Sequence, residues 1–158
     1  MDANFLSNLV IKKVIHVTDI YSEKGKTNKR EDRERWSFIF KYEGETIYNS
    51  QGKTLISNFE NMVILPKGST YQWTCIKPGR FFSVEFDCDL THDSIFSFPI
   101  KNNEKMLQLL REMEYILTLK KSTCQLELLK GAYSILITLL HSKQRIYVPS
   151  QKQEKIAP

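Results

Sequence analysis

The sequence predicts a mainly β protein, a sandwich or closed barrel of short strands followed by two antiparallel α-helices. Three observations carry that expectation. Between residues 9 and 86, short segments rich in β-branched and aromatic residues recur, separated by turns at Ser50-Gln51-Gly52, Pro66-Lys67-Gly68 and Lys77-Pro78-Gly79. Within residues 36–42 (WSFIFKY), Trp36, Phe38, Phe40 and Tyr42 fall on one face of a strand and Ser37, Ile39 and Lys41 on the other. From residue 103 the apolar repeat lengthens from two to threes and fours, the period of a helix.

A chain of 158 residues is long enough to bury a core as one domain, without disulfides or a structural metal. Apolar residues make up 41% and charged residues 26%, the balance of an ordinary soluble domain. No apolar run approaches the roughly 20 residues that a membrane span needs. The first residues carry no basic region followed by an apolar stretch, so no secretory signal is expected and the cytoplasm is the expected compartment. Cys75, Cys88 and Cys124 are scattered and odd in number, which reads as reduced thiols. His16, His92 and His141 are equally dispersed, with no pair at metal-ligand spacing, so neither a metal nor another cofactor is expected. Much of the net charge of +5 sits in residues 24–35 and 143–155. The first run also holds Glu31, Asp32 and Glu34 and no aromatics, so it reads as a solvated loop rather than a nucleic-acid contact.

Taken in order, residues 9–20 read as a strand or two, and the polar stretch 21–35 as a loop. The strand at 36–42 follows. Residues 46–49 and 53–57 flank a Gly turn and make a hairpin. The apolar run 62–65, stopped by Pro66, is a short buried strand, and 70–76 and 80–86 are two more. Met106, Leu109, Leu110, Met113, Ile116 and Leu117 place a helix over 103–119, capped by Asn102 or Asn103. A second helix spans about 123–142. Leu126, Leu129, Tyr133, Leu136 and Leu140 form one seam on it, and Leu128, Ala132, Ile135 and Leu139 an adjoining one. So wide an apolar face suits packing on the barrel together with a second subunit through the first seam; burial of the whole face within one chain is the alternative. Gly131 in mid-helix costs about 1 kcal/mol against Ala and lets a neighbour approach closely. The polar tail 147–158 reads as a linker. The expected division is therefore a barrel at 1–100, a helical dimerisation segment at 101–145 and a linker at 146–158.

The series Gly44, Gly52, Asn61, Ile64-Leu65-Pro66-Lys67-Gly68, Tyr71, Trp73 and Phe86 resembles the cupin-like sensor half of AraC-type bacterial transcription regulators. No single motif in it is highly specific; the order of the whole series is. The resemblance runs from about Val10 onward and implies a cupin-like jelly roll, or double-stranded β-barrel, followed by two helices that serve dimerisation. It also implies that DNA is contacted only through a C-terminal helix-turn-helix domain, absent from this chain, because neither expected helix is suited to lie in a major groove.

Metal-binding cupins carry histidines on the early strands and one shortly after Pro-x-Gly, where this chain has Tyr71. What remains is an interior lined by Trp36, Phe38, Lys41, Tyr42, Tyr48, Tyr71 and Trp73, suited to a planar or sugar-like effector, unless the barrel simply fills itself with these side chains. Ser37, Ser83 and Glu85 form no catalytic triad, so no enzyme is expected. The alternatives are a stand-alone, metal-free cupin acting as a sugar isomerase or epimerase, which needs a base beside an acid and for which His16 is the candidate, or an interaction module that binds nothing.

Overall fold

In the computed structural model residues 3–153 are described, with side chains described for residues 5–142. A short 3-10 helix at Ala3–Asn8 leads into β1 (Lys13–Ser22), β2 (Thr27–Arg30), β3 (Trp36–Lys41), β4 (Glu45–Ser50), β5 (Lys53–Ser57), β6 (Asn61–Leu65), β7 (Tyr71–Lys77), β8 (Gly79–Asp87) and β9 (Phe96–Pro99). Two helices follow, α1 (Asn103–Leu119) and α2 (Cys124–Gln153). The strands form two antiparallel sheets, one in the order β1-β8-β3-β6-β9 and the other β2-β7-β4-β5. The expected fold class is the one observed.

Period-two alternation sorts the side chains of the five-stranded sheet into two cores. One face of β3 carries Trp36, Phe38 and Phe40, which join Phe82, Val84 and Phe86 of β8 and Met62 and Ile64 of β6. This face packs on Met106, Leu110 and Met113 of α1 and on Leu128, Ala132, Ile135, Leu136 and Leu139 of α2. The opposite face sends Ile39, Val63 and Leu65 between the sheets to meet Tyr48 and Tyr71. All six residues of β3 are therefore buried. Each large side chain so removed from water contributes roughly 1.5–3 kcal/mol.

Turn geometry follows the residues. Gln51 and Gly52 both have positive φ (52° and 76°), the conformation that matches a two-residue hairpin loop to strand twist. Gly44 has φ 77°, and a Cβ there would meet the carbonyl oxygens of Lys77 and Pro78 at 2.3 and 2.4 Å, so two turns press backbone against backbone at this end. Gly131 faces Met113, whose Sδ would lie 2.7 Å from an added Cβ; the close approach expected of it is made by α1.

Several expectations are corrected. The loop expected over 21–35 contains β2, whose residues Thr27, Asn28, Lys29 and Arg30 are all exposed and so show no apolar periodicity. β9 lies outside every expected strand. Leu9 and Ile11 are buried ahead of β1 rather than in it. The cap of α1 is Asn102, whose side chain accepts from the Lys105 amide. α2 does not end near Ser142 but runs to Gln153, through Pro149 and most of the expected linker. Residues 154–158 of that linker lie outside the described residues.

Candidate effector cavity

The inner faces of both sheets enclose a cavity of about 310 Å³. Its apolar wall includes Ile39, Leu65, Phe81 and Trp73, and its polar wall Tyr48, Tyr71, Arg33, Lys41, Ser57 and Glu85. Lys26, Asn28 and Arg30, from β2 and the residue before it, also line it. Four basic side chains, Lys26, Arg30, Arg33 and Lys41, thus line the cavity with a single carboxylate, Glu85.

Arg33 is the centre of the polar wall. The backbone holds it in place: its N–H donates to the Ser69 carbonyl and its own carbonyl accepts from Gly68 N–H. Only 6% exposed, it donates from Nη1 to the Tyr71 hydroxyl (2.9 Å) and from Nη2 to Glu85 Oε2 (2.8 Å). Its Nε has no hydrogen-bond partner, and neither does the buried Ser57 hydroxyl, which lines the same cavity. The other oxygen of Glu85 meets His16 Nε2 at 2.7 Å, and Arg35 approaches the same oxygen at 3.8 Å. Ser37 and Ser83 share a hydrogen bond of 2.9 Å between their hydroxyls.

Deeper in the wall, Lys41 is 1% exposed. Its Nζ donates to the Gly79 carbonyl (3.2 Å), lies 3.7 Å from Cys75 Sγ and sits over the Phe81 ring at 5.7 Å. Burial pulls its pKa below the usual lysine range. Burial also pushes the Tyr48 phenol well up, helped by the adjacent Tyr71, whose ring centre is 5.7 Å away.

Of the effector residues expected from sequence, Lys41, Tyr48, Tyr71 and Trp73 line this cavity. Trp36, Phe38 and Tyr42 do not. They point to the opposite face of the five-stranded sheet, where the apolar helices claim the more apolar side of β3. Trp36 Nε1 donates there to the Leu90 carbonyl, and the Tyr42 hydroxyl donates to Asp19, which also holds Arg80. Of the expected dimer seam, Leu136 is buried, and Leu129, Tyr133 and Leu140 are partly buried against the chain's own core. Tyr133 accepts from the Ile11 amide (2.8 Å), and Leu126 alone of the seam is exposed. Sequence reasoning missed Arg33, Ser57 and Glu85 as wall residues. Arg33 sits inside a charged run with nothing to mark it as the buried member.

Among the described residues no group of three His, Cys, Asp or Glu converges on a metal position. His16 is on Glu85, His92 stacks on Phe5 at 4.8 Å, and His141 is exposed on α2.

Two packed antiparallel sheets with a pair of C-terminal helices on one of them define a mainly β, cupin-like domain. Solved structures of ToxT from Vibrio cholerae share this fold. One matches with a TM-score of 0.53 at 11% identity, covering 77% of this chain and 53% of that one. A second, bound to (E)-4-(8-methylnaphthalen-1-yl)but-3-enoic acid, matches with a TM-score of 0.54 at 10% identity over 77% and 55%. A third, bound to an unsaturated fatty acid, matches with a TM-score of 0.53 at 10% identity over 78% and 54%. The chain spans about half the length of these structures. No family model and no curated protein matches it.

Proposed function

We propose that this chain is the effector-sensing domain of an AraC-type transcriptional regulator, and not an enzyme. A small molecule in the cavity modulates DNA binding by a helix-turn-helix domain. The observation that carries the reading is the buried Arg33 with its unpartnered Nε, together with the unpartnered Ser57 hydroxyl, in the wall of a cavity whose apolar side is formed by Ile39, Leu65, Phe81 and Trp73. Buried donors without acceptors are costly, and a bound acceptor removes that cost. Three cations, Lys26, Arg30 and Arg33, against one carboxylate make the acceptor an anion, and Ile39, Leu65, Phe81 and Trp73 suit an aliphatic body. The reading is therefore of a carboxylate-bearing amphiphile in preference to the sugar that the sequence suggested. The ligands of the two ToxT complexes are also carboxylic acids. In this reading the domain acts in the cytoplasm as a homodimer, through the part of α2 left exposed.

Decanoate titration tests the proposal, read by Trp73 fluorescence and by thermal melting. Saturable binding with a raised Tm is expected. Arg33→Gln should weaken it by about tenfold to a hundredfold, the value of a hydrogen bond to a charged group. Failure of medium-chain fatty acids to bind at millimolar concentration would overturn the reading.

A second reading has one observation in its favour. His16 Nε2 at 2.7 Å from Glu85 is a base beside an acid at the cavity wall, the pair that a sugar isomerase or epimerase needs. Turnover of an aldose panel, lost in His16→Gln, would replace the sensor reading with this one.

A further inference from the structure

The carboxylate reading leaves Lys41 without a task. Its amine is buried in the cavity wall, where it bonds the Gly79 carbonyl and the Cys75 sulfur and lies over the Phe81 ring, with no carboxylate among these contacts. An ammonium ion held this way lacks a paired counter-ion. A neutral amine has two hydrogens, one for each of these acceptors, and keeps its lone pair. Burial favours the neutral form for the same reason, against the opposing pull of Cys75 and then Glu43. A buried lysine amine with no carboxylate partner gives up its proton more readily than one in water, and its free lone pair is then a nucleophile.

We propose that Lys41 captures the carbonyl carbon of an aliphatic aldehyde or ketone as an imine, so that the cavity is a reversible covalent receptor for carbonyl compounds. The Nζ lone pair attacks the carbonyl carbon, and one N–H proton passes to the carbonyl oxygen, giving a carbinolamine. Loss of that hydroxyl with the second N–H proton releases one water and leaves the C=N bond. No oxidant or reductant is needed, and hydrolysis reverses the capture. The alkyl body would lie along Ile39, Leu65 and Phe81, which share this wall. The inference rests on the reading of this cavity as an effector site, but it uses a different group from the one assigned to the carboxylate.

The test treats the intact protein with decanal and sodium cyanoborohydride at neutral pH. Decanoate serves as the unreactive counterpart, and intact mass and peptide mapping are the readouts. Cyanoborohydride fixes an imine on lysine and leaves a thiohemiacetal on Cys75 unfixed, so the two adducts are distinguished. One decyl group on the peptide holding Lys41 is expected, formed at least about tenfold faster than on any exposed lysine. Prior decanoate should block it, and Lys41→Arg should abolish it. If Lys41→Arg does not fold, the wild-type peptide map and the decanoate block decide the matter. Decyl groups spread over surface lysines with Lys41 unmodified overturn the inference. Decanoate binding without a Lys41 adduct sinks covalent capture alone, whereas failure of both sinks the effector reading as well.

Discussion

Burial at single residues sets how this protein responds to alkali. Tyr48 is 4% exposed, and burial raises its pKa above the usual 10.0. Above pH 10 the unfolded chain has lost that proton while the folded chain keeps it, so the unfolded state binds fewer protons and stability falls with rising pH. The slope for one such group is about 1.4 kcal/mol per pH unit. Lys41 works the other way: its pKa is lowered from 10.5, so its contribution rises with pH and levels off beyond that value. Denaturant unfolding between pH 10.5 and 12 therefore isolates the phenols, and Tyr48→Phe should flatten the decline. An unchanged slope would place the Tyr48 hydroxyl in water. Little of this was legible in the sequence. Tyr48 and Lys41 were named as lining residues, Lys41 together with aromatics that alternation puts on the opposite face of its own strand, but Arg33 was not. Its burial depends on Tyr71 and Glu85, which lie 38 and 52 residues away along the chain.

Among the elements, β1 ties the two halves of the structure together. Its residues His16, Thr18, Ile20 and Ser22 line the cavity, while Val14 and Val17 sit in the helical core, a three-residue spacing made possible by the irregularity between Val14 and His16. From α2, the Gln125 side chain accepts from Val14 N–H at 3.0 Å and donates to Val14 C=O at 2.8 Å, as a neighbouring strand would. Gln125→Ala removes both bonds and should cost about 1–3 kcal/mol, measured by denaturant unfolding. A loss under a few tenths of a kcal/mol would show that water takes over both groups. Elements with strong periodicity were legible: β3, the β4–β5 hairpin and α1, whose bounds match. β2 was not, because an edge strand exposed along its whole length has no apolar face to reveal it. The end of α2 was misjudged because Pro149 and a polar composition argue for a break.

At the scale of the whole molecule, the wide apolar face of α2 is mostly answered from within. Leu128, Ala132, Ile135, Leu136 and Leu139 are buried in the core shared with the five-stranded sheet. Leu126 and Ile137 remain 70% and 51% exposed; eleven residues apart, they share a face of the helix, since three turns take about 10.8 residues. A second copy covering that stripe gives a mass near twice 18.6 kDa by light scattering. Leu126→Glu, which touches no buried position, should return it to the monomer; a wild-type monomer at high concentration would remove dimerisation from the functional reading. The sequence showed that α2 had apolar surface to spare but not which seam the chain would claim, because that depends on how the helix is rotated against β1 and β9.

β2 meets the rest of its sheet along one side only, through four residue pairs with β7, and it carries Asn28 and Arg30 over the cavity. Releasing so few pairs is a small local event compared with unfolding the sheet. If the cavity takes an effector as proposed, how long it stays is governed by how often this strip comes loose, and how tightly it binds by the wall behind it. Changes in Thr27 or Lys29 should therefore alter residence time while leaving equilibrium occupancy nearly untouched, so the speed and the sensitivity of the response are separable quantities in this fold.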